Sequence, residues 1–147
     1  MPNYHCIIQD RLVPPAIRAQ LANSITDIHC SLTGAPRHFV HVLFWPLLPE
    51  NAFSGGQPAE FAIVKAQIRR GRSKEVKEKM LSEITTLWTS LTGMSKNNLL
   101  VSFSEIPGEN AMEFGLVLPD PEFDHIWLKE NGFIDEVPAS GKGTATA

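Results

Sequence analysis

The chain has 147 residues, 43% of them hydrophobic and 20% charged, with a formal net charge of −3. This is the length and balance of one compact globular domain rather than a disordered chain. The charge excludes the global basic field that nucleic-acid binding uses, and no apolar run approaches the ~20 residues of a membrane span. With no signal-peptide layout at its start, the chain is expected to be cytoplasmic, with no nucleic-acid or membrane partner. Its two cysteines, Cys6 and Cys30, are then expected to be reduced, half-buried thiols.

Pro2 heads an apolar strand, Tyr4 to Ile8. If Met1 is trimmed, Pro2 becomes a secondary amine on a rigid element. A free α-amino group titrates at roughly 7.7–8.0, within reach of base or acid work near neutrality. The bland alternative is that proline after methionine only assists processing. Pro14-Pro15 then opens a helix in which Ile17, Leu21, Ile25, Ile28 and Leu32 recur at spacings of three and four, with Gly34 past its end. A strand over Phe39 to Phe44 follows. Pro46 to Pro58 holds three prolines and Gly55-Gly56 and reads as a loop. Phe61 to Ile68 is the next strand, and Ser73 caps a second helix carrying Val76, Met80, Ile84, Leu87 and Leu91. Gly93 closes that helix, and Leu99 to Phe103 is the fourth strand. Met112 to Phe133 is expected to add a short hairpin at a subunit edge. Residues 1–135 form the single domain, and 136–147 read as a disordered tail.

The chain repeats itself. Ser24 to Gly34 reappears as Glu83 to Gly93, displaced by 59 residues (Gly34 to Gly93), and both copies end Ser-Leu-Thr-Gly. The apolar faces of the two helices superpose under the same displacement. Strand, helix, strand, twice over, predicts an α/β fold of duplicated β-α-β units: a four-stranded mixed sheet with both helices on one face. The other face would be bare in a monomer, which predicts an oligomer.

The two halves differ at one point. Arg69-Arg70-Gly71-Arg72 stands where the third strand hands over to the second helix, against Asp10-Arg11-Leu12-Val13 in the first half. Cations there oppose the helix macrodipole, at about 0.3–1 kcal/mol each. A bound carboxylate or phosphate would resolve the conflict. The alternative is a solvated turn whose arginines pair with Glu75 and Glu78. Pro2 and Phe61 start equivalent strands, so the arginines lie at the far end of the strand that Phe61 begins. They meet Pro2 only if the halves run antiparallel about a pseudo-two-fold, or across a subunit boundary.

Together these features resemble the tautomerase superfamily of 4-oxalocrotonate tautomerase-like proteins, with the nearest likeness to the cis-3-chloroacrylic acid dehalogenase group. The motifs are Gln9-Asp10-Arg11-Leu12, Ile25-Thr26-Asp27 with His29, Leu32-Thr33-Gly34, Arg69 with Gly71-Arg72-Ser73, Phe103 with Glu105 and Pro107, and Glu113 with Gly115 and Leu118-Pro119. They run in order over about residues 2 to 121. The resemblance implies Pro2 as the catalytic amine and Glu113 as the group that activates or orients water. It implies Arg69, Arg72 and His29 as the seat of a substrate carboxylate. Taken alone, His29 reads as a satisfied helix histidine and Glu113 as a surface carboxylate. Where the group carries a tyrosine in the fourth strand this chain has Ser102, and its single tyrosine is Tyr4. Both are substrate-binding candidates, though a phenol and a serine hydroxyl differ in reach and acidity.

The function implied is a cofactor-independent tautomerase-type enzyme, expected as a homotrimer, acting on small 2-oxo or unsaturated carboxylic acids. Hydration or dehalogenation of 3-haloacrylic or acetylenic acids is the alternative. A binding module with a vestigial Pro2, its basic turn docking an acidic partner, is the non-enzyme reading. No metal is expected: His38 and His41, three apart on a predicted strand, point to opposite faces.

Overall fold

The structure is a computed structural model that describes residues 2–135. Met1 and the stretch 136–147, where the tail is expected, lie outside the described residues.

β1 (Asn3–Gln9) alternates, and its Tyr4, Cys6 and Ile8 face inward with at most 1% exposure. α1 (Pro15–Thr33) begins with proline in its first turn and ends at Gly34, whose φ of 75° is the left-handed conformation that glycine adopts without strain. β2 (His41–Leu47) returns parallel to β1. A small hairpin, β3 (Phe53–Ser54) and β4 (Gln57–Pro58), precedes β5 (Ala62–Arg69). α2 (Lys74–Thr92) starts where the Ser73 side chain accepts from the Val76 N–H. β6 (Leu99–Ile106) runs parallel to β5, and β7 (Met112–Glu113) and β8 (Leu116–Val117) form a second hairpin. A seven-residue helix, α3 (Asp124–Glu130), closes the described chain.

The sheet order is β2-β1-β5-β6. Its central pair, β1 and β5, is antiparallel, with Asn3 against Gln67 and Ile7 against Ile63. This is the pseudo-two-fold seam between the repeats. Leu21 and Ile25 of α1 and Ile84 and Trp88 of α2 seal one face of the sheet around Tyr4, Cys6, Val64 and Ala66. The opposite face stays open, with Leu43, Trp45 and Leu100 exposed by 40%, 51% and 53%. Both cysteines are free; Cys6 is buried and Cys30 partly so. Among the described residues no helix is long and apolar enough to cross a membrane.

Three expectations need correction. Residues 37–39 form a 3-10 turn, so His38 is not on a strand, and β2 instead runs on through Pro46. An edge strand tolerates that proline because one side of its ladder has no partner to disappoint. Pro46 to Pro58 is not all loop, since it contains the β3–β4 hairpin turned by Gly55-Gly56. That hairpin is the repeat partner of β7–β8: the same displacement carries Gly55 (φ 57°) onto Phe114 (φ 52°), where a phenylalanine holds the left-handed conformation. Finally, Met112 to Phe133 supplies the expected hairpin but also α3, for which its sequence pattern gives no warning.

Candidate active site

The antiparallel seam brings the start of β1 beside the end of β5. Pro2, Ile68 and Arg69 therefore line one cavity, with His29 from α1 and Arg72 from the turn before α2. Pro2 is buried, and its carbonyl accepts from the His41 N–H at 3.1 Å.

His29 sits on the inward face of α1 at 3% exposure. Beneath it, the hydroxyl of fully buried Tyr4 meets His29 Nδ1 at 2.8 Å. Sealed from water, the phenol gives its hydrogen to Nδ1, so the imidazole proton sits on Nε2. Burial first, then Arg72 and Arg69, pushes the His29 pKa down to about 3. The ring is a neutral donor at physiological pH. Tyr4 itself does not line the cavity; it reaches the site through His29.

The arginines are tightly held. Arg69 Nη1 donates to the Pro119 carbonyl at 2.5 Å and to Asp124 Oδ1 at 2.6 Å, and Nη2 donates to Asp124 Oδ2 at 2.8 Å. Arg72 Nη2 shares Asp124 Oδ2 at 3.2 Å, and Nη1 donates to the Thr33 carbonyl at 3.3 Å. Burial, opposed by Asp124, pulls the Arg72 pKa below its usual value. Arg70 points outward to Asp120 at 3.2 Å. The solvated-turn alternative, in which these arginines pair with Glu75 and Glu78, does not hold: their carboxylate partners are two aspartates from a distant segment. Sequence reasoning missed both. Asp120 also accepts from the Gly108 N–H at 3.0 Å, and a Cβ on Gly108 would stand 2.3 Å from the Pro119 carbonyl oxygen. Only glycine lets that turn press against the segment that presents Pro119 to Arg69.

Glu113 and Ser102 lie apart from the cavity. Glu113, with its side chain 12% exposed, accepts from His41 Nε2 at 3.1 Å through Oε1, while its buried Oε2 has no partner among the described residues. His41 thus touches both Pro2, through its backbone, and Glu113, through its ring. Ser102 pairs with Lys65 on the open face of the sheet, away from the helices. His38, considered with His41 only as a metal ligand, packs instead on Phe39 with ring centroids 4.8 Å apart. Among the described residues no cluster of His, Cys, Asp and Glu is disposed to hold a metal.

The site is built once. Under the repeat displacement Pro2, His29, Arg69 and Arg72 correspond to Phe61, Trp88, Asp10 and Val13, which offer neither amine nor paired cations.

The family described as "Putative oxalocrotonate tautomerase enzyme" matches residues 1–132. The chain belongs to the tautomerase superfamily. Within this superfamily its likeness is to the cis-3-chloroacrylic acid dehalogenase group. The crystal structure of N1, a member of the cis-3-chloroacrylic acid dehalogenase family, is 30% identical with a TM-score of 0.82, covering 86% of this chain and 90% of that one. Native Ps01740 is 40% identical with a TM-score of 0.74, over 76% of this chain and 99% of the other. The symmetric trimer of Q0 fused 4-OT shares the fold at 20% identity, with a TM-score of 0.70 over 80% and 94% of the two chains. No curated protein matches the sequence of this tautomerase-superfamily member.

Proposed function

We propose that this chain is a cofactor-independent tautomerase of small 2-oxo or unsaturated carboxylic acids, with Pro2, freed by removal of Met1, as its acid–base group. The observation that carries this reading is that Pro2, His29, Arg69 and Arg72, drawn from both halves of the duplication, line one cavity. Arg69 and Arg72 hold the substrate carboxylate, with the neutral Nε2–H of His29 as a further donor. The Pro2 nitrogen takes a proton from one end of the three-atom enol or β,γ-unsaturated system. The electron pair shifts along it, and the same N–H returns the proton to carbon at the other end. Negative charge that builds on the enolate is opposed by the nearby guanidinium groups. The carboxylate anchor supplies orientation.

The exposed Leu43, Trp45 and Leu100 of the open sheet face fit burial against copies of the chain, and the proposed assembly is a homotrimer, in the cytoplasm. Ser102 lies on that face, so in the assembly it would meet a neighbour rather than its own cavity.

A second reading, hydration or dehalogenation of acetylenic or 3-halo unsaturated acids, is favoured by Glu113, whose carboxylate keeps one oxygen without a partner among the described residues while the other meets the ring of His41, the residue whose N–H binds the Pro2 carbonyl. There Glu113 would draw the proton from an attacking water while protonated Pro2 delivers one to carbon. Incubation with phenylenolpyruvate, cis-3-chloroacrylate and propiolate, followed by product NMR, separates the two. Ketonisation alone supports the tautomerase; release of chloride or hydration of propiolate, abolished by Glu113→Gln, supports the second. Intact mass tests the binding-module alternative, since retained Met1 makes Pro2 an amide without basicity.

A further inference from the structure

We propose that Asp124 is an internal occupant of the carboxylate seat, so that an acid binds by exchanging with the Asp124 carboxylate as α3 lifts away. This rests on the reading that Arg69 and Arg72 bind the substrate's carboxylate. It adds the residue that sets how tightly, and for which acids, they do so.

The geometry is that of a filled site. Both oxygens of Asp124 are engaged by the two guanidinium groups, the Arg69 contact being bidentate at 2.6 and 2.8 Å. That is the fork-to-carboxylate arrangement an acid substrate would make. All three side chains are largely buried, Arg69, Arg72 and Asp124 keeping 12%, 17% and 17% of their surface. The cavity left beside them has a volume of about 30 Å³. That space lies beside the guanidinium groups rather than on them, because their carboxylate-binding edges are taken by Asp124. Asp124, Trp127 and Leu128, all from α3, form one of its walls. A substrate carboxylate on the facing edges of the two guanidinium groups and Asp124 in its present position are therefore mutually exclusive.

α3 is suited to leaving. Its seven residues are too few for a helix to be stable on its own, and no side chain caps its start. Its outer side shows Ile126 at 58% exposure, and Phe123 just before it at 54%. It is held from within by the Asp124 ion pairs, by Leu128 and by Trp127, which stacks on Phe133 at 5.5 Å and meets Phe39 edge-on at 6.3 Å. Swapping one carboxylate for another preserves the ion pairing, so charge alone gives an incoming acid little advantage. The advantage comes from the rest of the ligand, against Ile68, Phe39 and Leu118. The ligand class that wins the exchange is a carboxylate with an apolar or aromatic tail, rather than a bare three-carbon acid.

The test is calorimetric binding of phenylpyruvate to the full chain, its Asp124→Asn variant and its Arg72→Ala variant, with hydrogen exchange of residues 125–133 followed in the unsubstituted protein. Exchange by Asp124 requires Asp124→Asn to tighten phenylpyruvate at least ten-fold, and saturating phenylpyruvate to speed amide exchange in 125–133. If Arg72→Ala binds as tightly as the unsubstituted chain, the arginine seat itself is wrong. If Arg72→Ala weakens binding but Asp124→Asn is unchanged or weaker, and 125–133 stay as protected as before, the seat stands and the exchange is overturned. Should Asp124→Asn fail to fold, the hydrogen-exchange result on the unsubstituted chain decides alone.

Discussion

Tyr4 and His29 share a 2.8 Å hydrogen bond sealed from solvent, at 0% and 3% exposure, and it settles which ring nitrogen His29 can offer to a ligand. Tyr4→Phe removes the only donor to Nδ1 among the described residues while leaving the ring's packing in place. An unsatisfied buried acceptor costs about 1–3 kcal/mol. Urea denaturation is expected to show a loss of that size. Nitrogen NMR of the unsubstituted protein should show Nδ1 unprotonated and Nε2 protonated; the opposite tautomer would contradict the assignment.

The same pair predicts a pH dependence. His29 has a folded pKa of about 3 against an ordinary 6.5, lowered chiefly by burial. Between those values the unfolded chain binds a proton that the folded chain does not. Its contribution to stability is therefore full above pH 6.5 and declines as pH falls towards 3. In urea titrations from pH 7.5 to 4.5, the unsubstituted chain is expected to lose stability more steeply than His29→Gln. Parallel curves would show that His29 is not held neutral.

Gly108 carries a steric prediction. Alanine there would place its Cβ 2.3 Å from the Pro119 carbonyl oxygen, so the backbone must move and the Arg69–Pro119 hydrogen bond lengthens. Overpacking of this kind costs about 1–3 kcal/mol. Gly108→Ala is expected to lower the thermal midpoint and to weaken acid binding, whereas Gly93→Ala, a positive-φ control past the end of α2 with open space around its Cβ, should leave acid binding unchanged.

The open sheet face gives a further prediction. Trp45 is 51% exposed and stacked on His5, with ring centroids 5.9 Å apart. Trp45→Glu puts a charge where copies are proposed to meet, and an unpaired buried charge is not tolerated at an interface. Sedimentation should show the unsubstituted chain as a trimer and the variant as a monomer. A monomeric unsubstituted chain would remove the assembly.

Much of the fold was legible because the repeat makes two weak readings into one strong one. Gly34 and Gly93, with the apolar stripes before them, fixed both helices, and the arginine asymmetry pointed to the end of β5. The same displacement, applied to Gly55-Gly56, would also have revealed the β3–β4 hairpin. Asp124 lay beyond reach. It falls outside the duplication, seven residues of α3 give too short a period to read, and its partners Arg69 and Arg72 are brought to it only by tertiary packing. The His41–Glu113 contact was equally out of reach, because nothing in the local sequence of His41 links it to a carboxylate on the β7–β8 hairpin.

The central claim is that Pro2 works as a free amine, and kinetics of phenylenolpyruvate ketonisation by Met1-free protein tests it most directly. The account expects turnover by the Met1-free chain and a fall in kcat/KM of at least about 100-fold in a chain that keeps Met1, whose Pro2 nitrogen is an amide, the scale of a lost acid–base group. Equal kcat/KM in the two proteins would contradict it.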